Sequence, residues 1–232
     1  MMYLIKQIKY IKNGDKMEKI KVPKYTLGEE ITNSITHGIG VLLSIAALVL
    51  TIIISSIHHN IIGIISSIVY GTTMILMYLI SCLYHSMSPN IKAKRVFRII
   101  DHCDIYLYIA GCYTPFCISL IGGSIGWTLF GLVWGCAIIG VLLNAINLEK
   151  NKKISLILYL VMGWMVLISI KPLINNLPIN GLLLLLAGGI IYTIGAIIYK
   201  IGSKKRYFHS VFHVFVLIGS ILQFFSILFY TL

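Results

Sequence analysis

Two histidines four residues apart, His209 and His213, open the last long apolar run of this 232-residue chain. On an α-helix that spacing puts both imidazoles on one face, where they can grip one metal ion. Ser81 and His85 repeat the spacing at the end of an earlier apolar run and set a hydroxyl beside an imidazole. Asp101, followed by His102 and Asp104, opens another. Three histidines with a fourth position left open make the ligand set of a hydrolytic zinc site, which brings the pKa of water to about 7. Asp101 could accept or orient a proton there. Ser81 could hydrogen-bond to water or to a substrate oxygen.

Elements far apart in the chain must bring these groups together, and composition says what kind. The chain is 58% hydrophobic and 11% charged, against about 25% charged in an ordinary soluble domain. A mean hydropathy of +0.93 agrees. Roughly 20 residues cross a hydrocarbon core of about 30 Å. The apolar runs and their breakers give seven spans, near 32–57, 61–85, 99–121, 125–147, 154–173, 180–201 and 208–231. His58-His59-Asn60, Ser88-Pro89-Asn90, Gly122-Gly123-Ser124 and the Lys171–Pro178 stretch lie between them. The expected fold is all-α: a polytopic membrane protein, one seven-helix bundle over 29–232 preceded by a basic arm over 1–28.

Charge fixes the orientation. With seven spans, the positive-inside rule collects 18 of the 19 basic residues on one side, leaving only Lys171 on the other. The N-terminus is then cytoplasmic and the C-terminus external, in the cell (inner) membrane. The net charge of +12 lies in short clusters at helix ends, which suits anionic lipid rather than nucleic acid. Five cysteines, all in or beside apolar runs, make no CxxC pair and read as small buried residues. No apolar run in the first thirty residues is long enough for a signal-peptide core.

The same topology sets the depth of the polar groups. The first, third and seventh spans start at the cytoplasmic face and the second ends there. Glu29, Glu30, His37, Ser81, His85, Asp101, His102, Asp104, His209 and His213 therefore share the inner leaflet. Ionisable groups at such depth are costly and mark function. Plainer readings exist for single residues. A HxxxH pair at a helix end also fits a pair facing headgroups, and Asp101 beside Arg98 also fits a surface ion pair. His102 points about 100° away from Asp101 on a helix, toward headgroups, and Asp104, one turn on, faces the same cavity as Asp101. Asn144 and Asn147 suit interhelical hydrogen bonds. Thr114-Pro115 should kink the third span.

At these residues the chain resembles the hemolysin III family, the bacterial branch of the progestin and adipoQ receptor family. The matching pieces begin with the run from Glu29 to Gly38 and the run from Ser81 to His85. They continue with Asp101-His102, the run from Ile109 to Phe116, and His209-Ser210-Val211-Phe212-His213. The resemblance implies a seven-helix fold with zinc near the cytoplasmic face. Its ligands would be His85, His209 and His213, with Asp101 and Ser81 around the metal-activated water. Animal members are lipid-linked receptors with ceramidase-like amide hydrolysis, and bacterial members are named for haemolytic activity. Asp104 stands where a small neutral residue is expected in that family.

Three functions follow as expectations. The leading one is a zinc-dependent intramembrane hydrolase of a lipid amide or ester, with membrane lipids reaching the site laterally. The second is a cytolysin, although continuous spans lack the masked amphipathic segment of a secreted pore-former. The third is a lipid-responsive receptor or membrane homeostasis factor with structural zinc. That one calls for a closed site with four protein ligands, His37 among them.

Overall fold

The computed structural model describes residues 22–202 and 205–232, and its regular structure is helical, with no strand among the described residues. Most of the basic arm, with Lys6 through Lys21, lies outside the described residues, as does Lys204. In chain order the elements are α1 (Leu27–Ile57), α2 (Ile61–Ser86), α3 (Lys92–Thr114), a π-helical segment Pro115–Ile121 and α4 (Gly123–Trp164). A 3-10 segment Met165–Ser169, α5 (Ile170–Asn176), α6 (Ile179–Ile201) and α7 (Phe208–Tyr230) follow. Among the described residues six stretches are long and apolar enough to cross a membrane, the fourth extending from Gly123 to Asn176. The chain is a multi-pass membrane protein.

Its pattern is inside-out relative to a soluble bundle. On α1 the buried face is Glu29, Asn33, His37, Gly40, Ser44, Ala47, Thr51 and Ser55, at spacings of three or four. The large apolar residues between them, such as Leu42 at 70% exposure, point outward. In lipid no hydrophobic force drives helices together, so small and polar residues face inward where backbones approach and hydrogen bonds form. Gly40 shows why: a Cβ there would lie 2.3 Å from Cδ1 of the buried Tyr78 ring.

The long α4 holds the main surprise. Its 42 residues would run about 63 Å if straight, twice the hydrocarbon thickness of about 30 Å. Asn147 interrupts it with φ −160° and ψ 90°. Beyond it the Ser155 hydroxyl donates to Asn144 Oδ1 at 2.5 Å. The Asn144 amide lies 3.2 Å from the Tyr159 hydroxyl and also donates to His102 O. Residues eleven apart on a straight helix are about 16 Å from each other, so α4 folds back on itself at Asn147. The Asn147 side chain caps the second half, accepting from Lys150 N at 3.1 Å. The expected spans, 125–147 and 154–173, meet that break at the end of the first of them; the structure resumes the helix at once, with Lys150, Lys152 and Lys153 helical.

Two prolines behave differently. Pro115 cannot donate back into α3, and the helix widens there into π turns, closed by Gly122 N to Cys117 O at 2.9 Å. Gly122 and Gly123, at φ 59° and 54°, then make the tight link. Pro172 was expected to help end the fifth span, but it sits in the first turn of α5, where its missing N–H leaves no helical bond unmade. The helix ends instead at Leu177-Pro178.

Around the bundle α1 packs on α2 and α7, α2 on α3, α3 on α4, and α6 on α7. Short polar bonds fix the register near the histidines. Ser34 Oγ meets Ser86 Oγ at 2.6 Å between α1 and α2, and Ser210 Oγ donates to Asn33 Oδ1 at 2.6 Å between α7 and α1. Deeper in the bundle the Tyr78 and Ser220 hydroxyls meet at 2.5 Å between α2 and α7.

Candidate metal centre

The three expected histidines meet. His209 Nε2 lies 3.3 Å from His85 Nε2 and 3.0 Å from His213 Nε2. One ligand atom from each falls within 4.8 Å of the others. His85 and His213 are buried. Helical spacing brings His209 and His213 together; the packing of α7 and α2 on α1 brings His85 to them from 124 residues away.

The other face of His85 explains its tautomer. Its Nδ1 is 2.7 Å from Glu30 Oε2, so Nδ1–H donates and the Nε2 lone pair is free. Glu30 is held in turn by Lys94, whose Nζ is 2.5 Å from Oε1 and 2.9 Å from Met87 O. The His85 and Lys94 side chains have no solvent exposure. The Asn33 amide lies 3.3 Å from the same His85 nitrogen.

Three imidazole nitrogens facing one another satisfy themselves poorly. A single N–H on His209 Nε2 could serve only one of its two neighbours, and His85 already spends its proton on Glu30. Convergent lone pairs in a buried pocket are what a cation needs, so the donor set fits a metal such as zinc. The Nδ1 atoms of His209 and His213 have no hydrogen-bond partner in the structure.

His37 is next to the cluster without joining it. Its ring stacks on His213, centroids 3.7 Å apart and planes 16° from parallel. A stacked ring presents its face, and His37 Nδ1 and Nε2 are both buried without partners. Among the described residues the cluster is His85, His209 and His213, with no fourth His, Cys, Asp or Glu.

Asp101 and Ser81 both line the cavity that reaches His209 and His213. The Ser81 hydroxyl and the His102 ring are among the polar side chains beside the Asp101 carboxylate. His102 corrects one expectation. Its Nδ1 donates to Arg98 O at 2.9 Å and lies 3.5 Å from Asp101 Oδ2, so the ring turns inward along its own helix. Arg98 corrects another, since it pairs with Glu149 on α4 rather than with Asp101. Asp104 is buried 5% exposed, with Oδ2 unpartnered, and does not line the cavity beside Asp101.

Sequence reasoning missed Glu30 as the partner of His85 and Lys94 as the partner of Glu30. Glu30 stood in the inner-leaflet set, but no local spacing links it to residue 85. Glu29 has a different task. With Thr26 it forms a capping box at the start of α1, and its Oε1 accepts from Tyr207 N at 2.7 Å. The pattern Thr26-x-x-Glu29 before an apolar run was the signal for that cap. Just ahead of it, Tyr25 stacks on His209 with centroids 5.1 Å apart. Burial, with Tyr84 and Tyr199 beside it, pushes the Tyr25 hydroxyl well above the usual phenol range, so it stays protonated.

Comparison with known proteins agrees with this framework. The family model described as "Haemolysin-III related" matches residues 25–224. "Hemolysin-3" of Bacillus cereus is 45% identical over 204 residues, 88% of this chain and 92% of that protein. "Hemolysin-3 homolog" of Bacillus subtilis (strain 168) is 44% identical over 206 residues, 89% and 96% of the two chains. "Monocyte to macrophage differentiation factor" of Homo sapiens is 25% identical over 211 residues, 88% and 85%. The matched region runs from Tyr25, over the histidine cluster, to within α7, and on that extent the chain belongs to the Haemolysin-III related family.

Proposed function

We propose that the protein is a zinc-dependent hydrolase of a lipid amide or ester, working in the inner leaflet of a bacterial cell membrane. α4 would cross the membrane twice around Asn147, giving seven crossings with the N-terminus cytoplasmic and the C-terminus external. The observation that carries the reading is the convergence of His85, His209 and His213 beside Asp101 and Ser81, at the head of an apolar cavity. Three ligands with an open fourth position favour a catalytic site over a structural one.

Zinc held by these residues supplies Lewis acidity toward a carbonyl and a water acidic near neutral pH. The protein does the rest. Asp101 takes the proton as water adds to the carbonyl carbon. It returns that proton to the leaving nitrogen or oxygen as the acyl bond breaks. The Ser81 hydroxyl holds the substrate oxygen or the water in line. Glu30 keeps His85 in the tautomer whose Nε2 can ligate.

The test begins with metal content. Purified protein should hold about one zinc per chain, and His209→Ala should lose it; unchanged zinc in that variant overturns the site. Membrane lipids incubated with wild type should release fatty acid by mass spectrometry, and with His85→Ala they should not. Equal release from both overturns the hydrolase reading.

A second reading, cytolysis, is favoured by the name of the 45% identical relative, "Hemolysin-3". Leakage of dye from liposomes separates the two. A pore leaks equally with wild type and Asp101→Asn, whereas leakage through released lipid products stops in the variant.

A further inference from the structure

Two cavities meet at the candidate site, and they differ in character. One, about 170 Å³, runs into the bundle between α3, α4, α6 and α7. A single water needs only about 10–15 Å³. Its walls are mostly apolar, among them Ile105, Ile109, Leu156, Leu160, Trp164 and Val216, with Thr193 and Gln223 among the few polar side chains deeper in. The other, about 470 Å³, is a vestibule on the opposite side of the histidines, and Lys24, Arg98, Lys152, Lys205 and Arg206 line it. Its two acids are Glu29 and Asp101. Glu29 is spent on Thr26 and Tyr207, and Arg98 on Glu149. Those bonds leave the charge of Glu29 in place, so the five cations face Glu29, Asp101 and Glu149, an excess of two positive charges.

Lys152 has a place of its own. It is the lysine lining both cavities, at the junction with Asp101, His102, Tyr199 and His209. Its Nζ lies over the Tyr199 ring at 5.7 Å, a contact that leaves its hydrogens free to donate. An apolar channel on one side of a reactive cluster and a cationic chamber on the other describe one occupant: a chain with a charged end.

We propose that the site selects amphiphiles with an anionic headgroup, phosphate or carboxylate. Lys152, with Lys24 and Arg206, takes the headgroup in the vestibule while the acyl chain lies in the inner cavity. This rests on the hydrolase reading for its purpose but not for its test. Lys152 is a specificity-determining residue: a charge-assisted hydrogen bond from a half-buried lysine discriminates charged from zwitterionic heads.

Trp164 in the cavity wall is the reporter. In a Trp127→Phe/Trp134→Phe background, the protein in nanodiscs receives equal mole fractions of phosphatidic acid or phosphatidylcholine with brominated chains, and quenching of Trp164 is read. Phosphatidic acid should quench at about tenfold lower mole fraction, corresponding to one good charged contact. Lys152→Glu should abolish that preference and Lys152→Arg keep it. Equal quenching by the two lipids in the Lys152 protein overturns the proposal, whatever the variants do. So does a preference that survives Lys152→Glu. Glycerol 3-phosphate, which has the headgroup chemistry without a chain, should not displace the lipid; displacement would make the vestibule a soluble phosphate site and overturn the amphiphile reading. Quenching needs no turnover, so a protein that hydrolyses nothing can still show the headgroup preference, and the two readings fail separately.

Discussion

Replacing Glu30 by glutamine tests the wiring behind the histidines. The carboxylate of Glu30 holds His85 Nδ1 at 2.7 Å through one oxygen and Lys94 Nζ at 2.5 Å through the other. Glutamine keeps the shape, but only its carbonyl oxygen accepts, and its NH2 must face one of the two donors. Loss of such a partner typically lowers metal affinity by about 10–100-fold, or about 1.4–2.7 kcal/mol. The second effect is on folding. Lys94 has no solvent exposure, and an ammonium left buried without its carboxylate costs about 3–5 kcal/mol. Met87 O, still 2.9 Å away, puts the expected loss at the low end. The two effects separate in the double variant Glu30→Met/Lys94→Met, which buries no unpaired ammonium and offers His85 no carboxylate acceptor from α1, and so should recover most of the stability and none of the zinc affinity. Zinc affinity is read by competition with a chromophoric chelator, and stability by thermal unfolding of the metal-free protein in detergent. A Glu30→Gln protein that binds zinc within about twofold of wild type would refute the assignment of His85 as a ligand oriented by Glu30.

Other outcomes follow from the same geometry. Zinc at 100 times its Kd should stabilise the wild type by about 2.7 kcal/mol and leave His213→Ala unmoved, as read by the unfolding temperature with and without chelator. Asn147→Ala removes the cap on Lys150 N and should cost about 1 kcal/mol, measured by the same unfolding; no change would mean that the reversal is held by Asn144, Ser155 and Tyr159 alone. Gly40→Ala forces the Tyr78 ring aside and should cost about 1–3 kcal/mol, while Gly131→Ala, with nothing within 4 Å of its added carbon, should not destabilise. Alkaline phosphatase fused after Leu232 should be active if the chain crosses seven times from a cytoplasmic N-terminus, and inactive if it crosses six times.

What the sequence revealed and what it hid divide along a physical line. His209 and His213 were legible because helical spacing is local, and His85 and Asp101 because hydropathy and basic residues set their depth. Depth has no azimuth, however. Nothing short of the packing of α1 on α2 could say that Glu30 faces His85, nor anything short of the packing of α3 on α4 that Arg98 reaches across to Glu149. The same gap explains Asp104, one turn from Asp101 yet outside its cavity. The end of the fourth span at 147 was legible from the lysines that follow it, but charge clusters mark membrane boundaries and could not say that the helix breaks at the single residue Asn147 and resumes at once.

The tie between Glu29 and Tyr207 has a consequence for how the protein is made. The carboxylate that caps the first helix takes one of its hydrogen bonds from the backbone just ahead of the last. A growing chain that has not reached Phe208 already holds Glu30, His85 and Asp101, yet it lacks two of the three candidate ligands. The candidate metal centre therefore stays incomplete through almost the whole of synthesis and membrane insertion. It is completed when α7 docks, the same event that supplies the missing bond to the cap of α1.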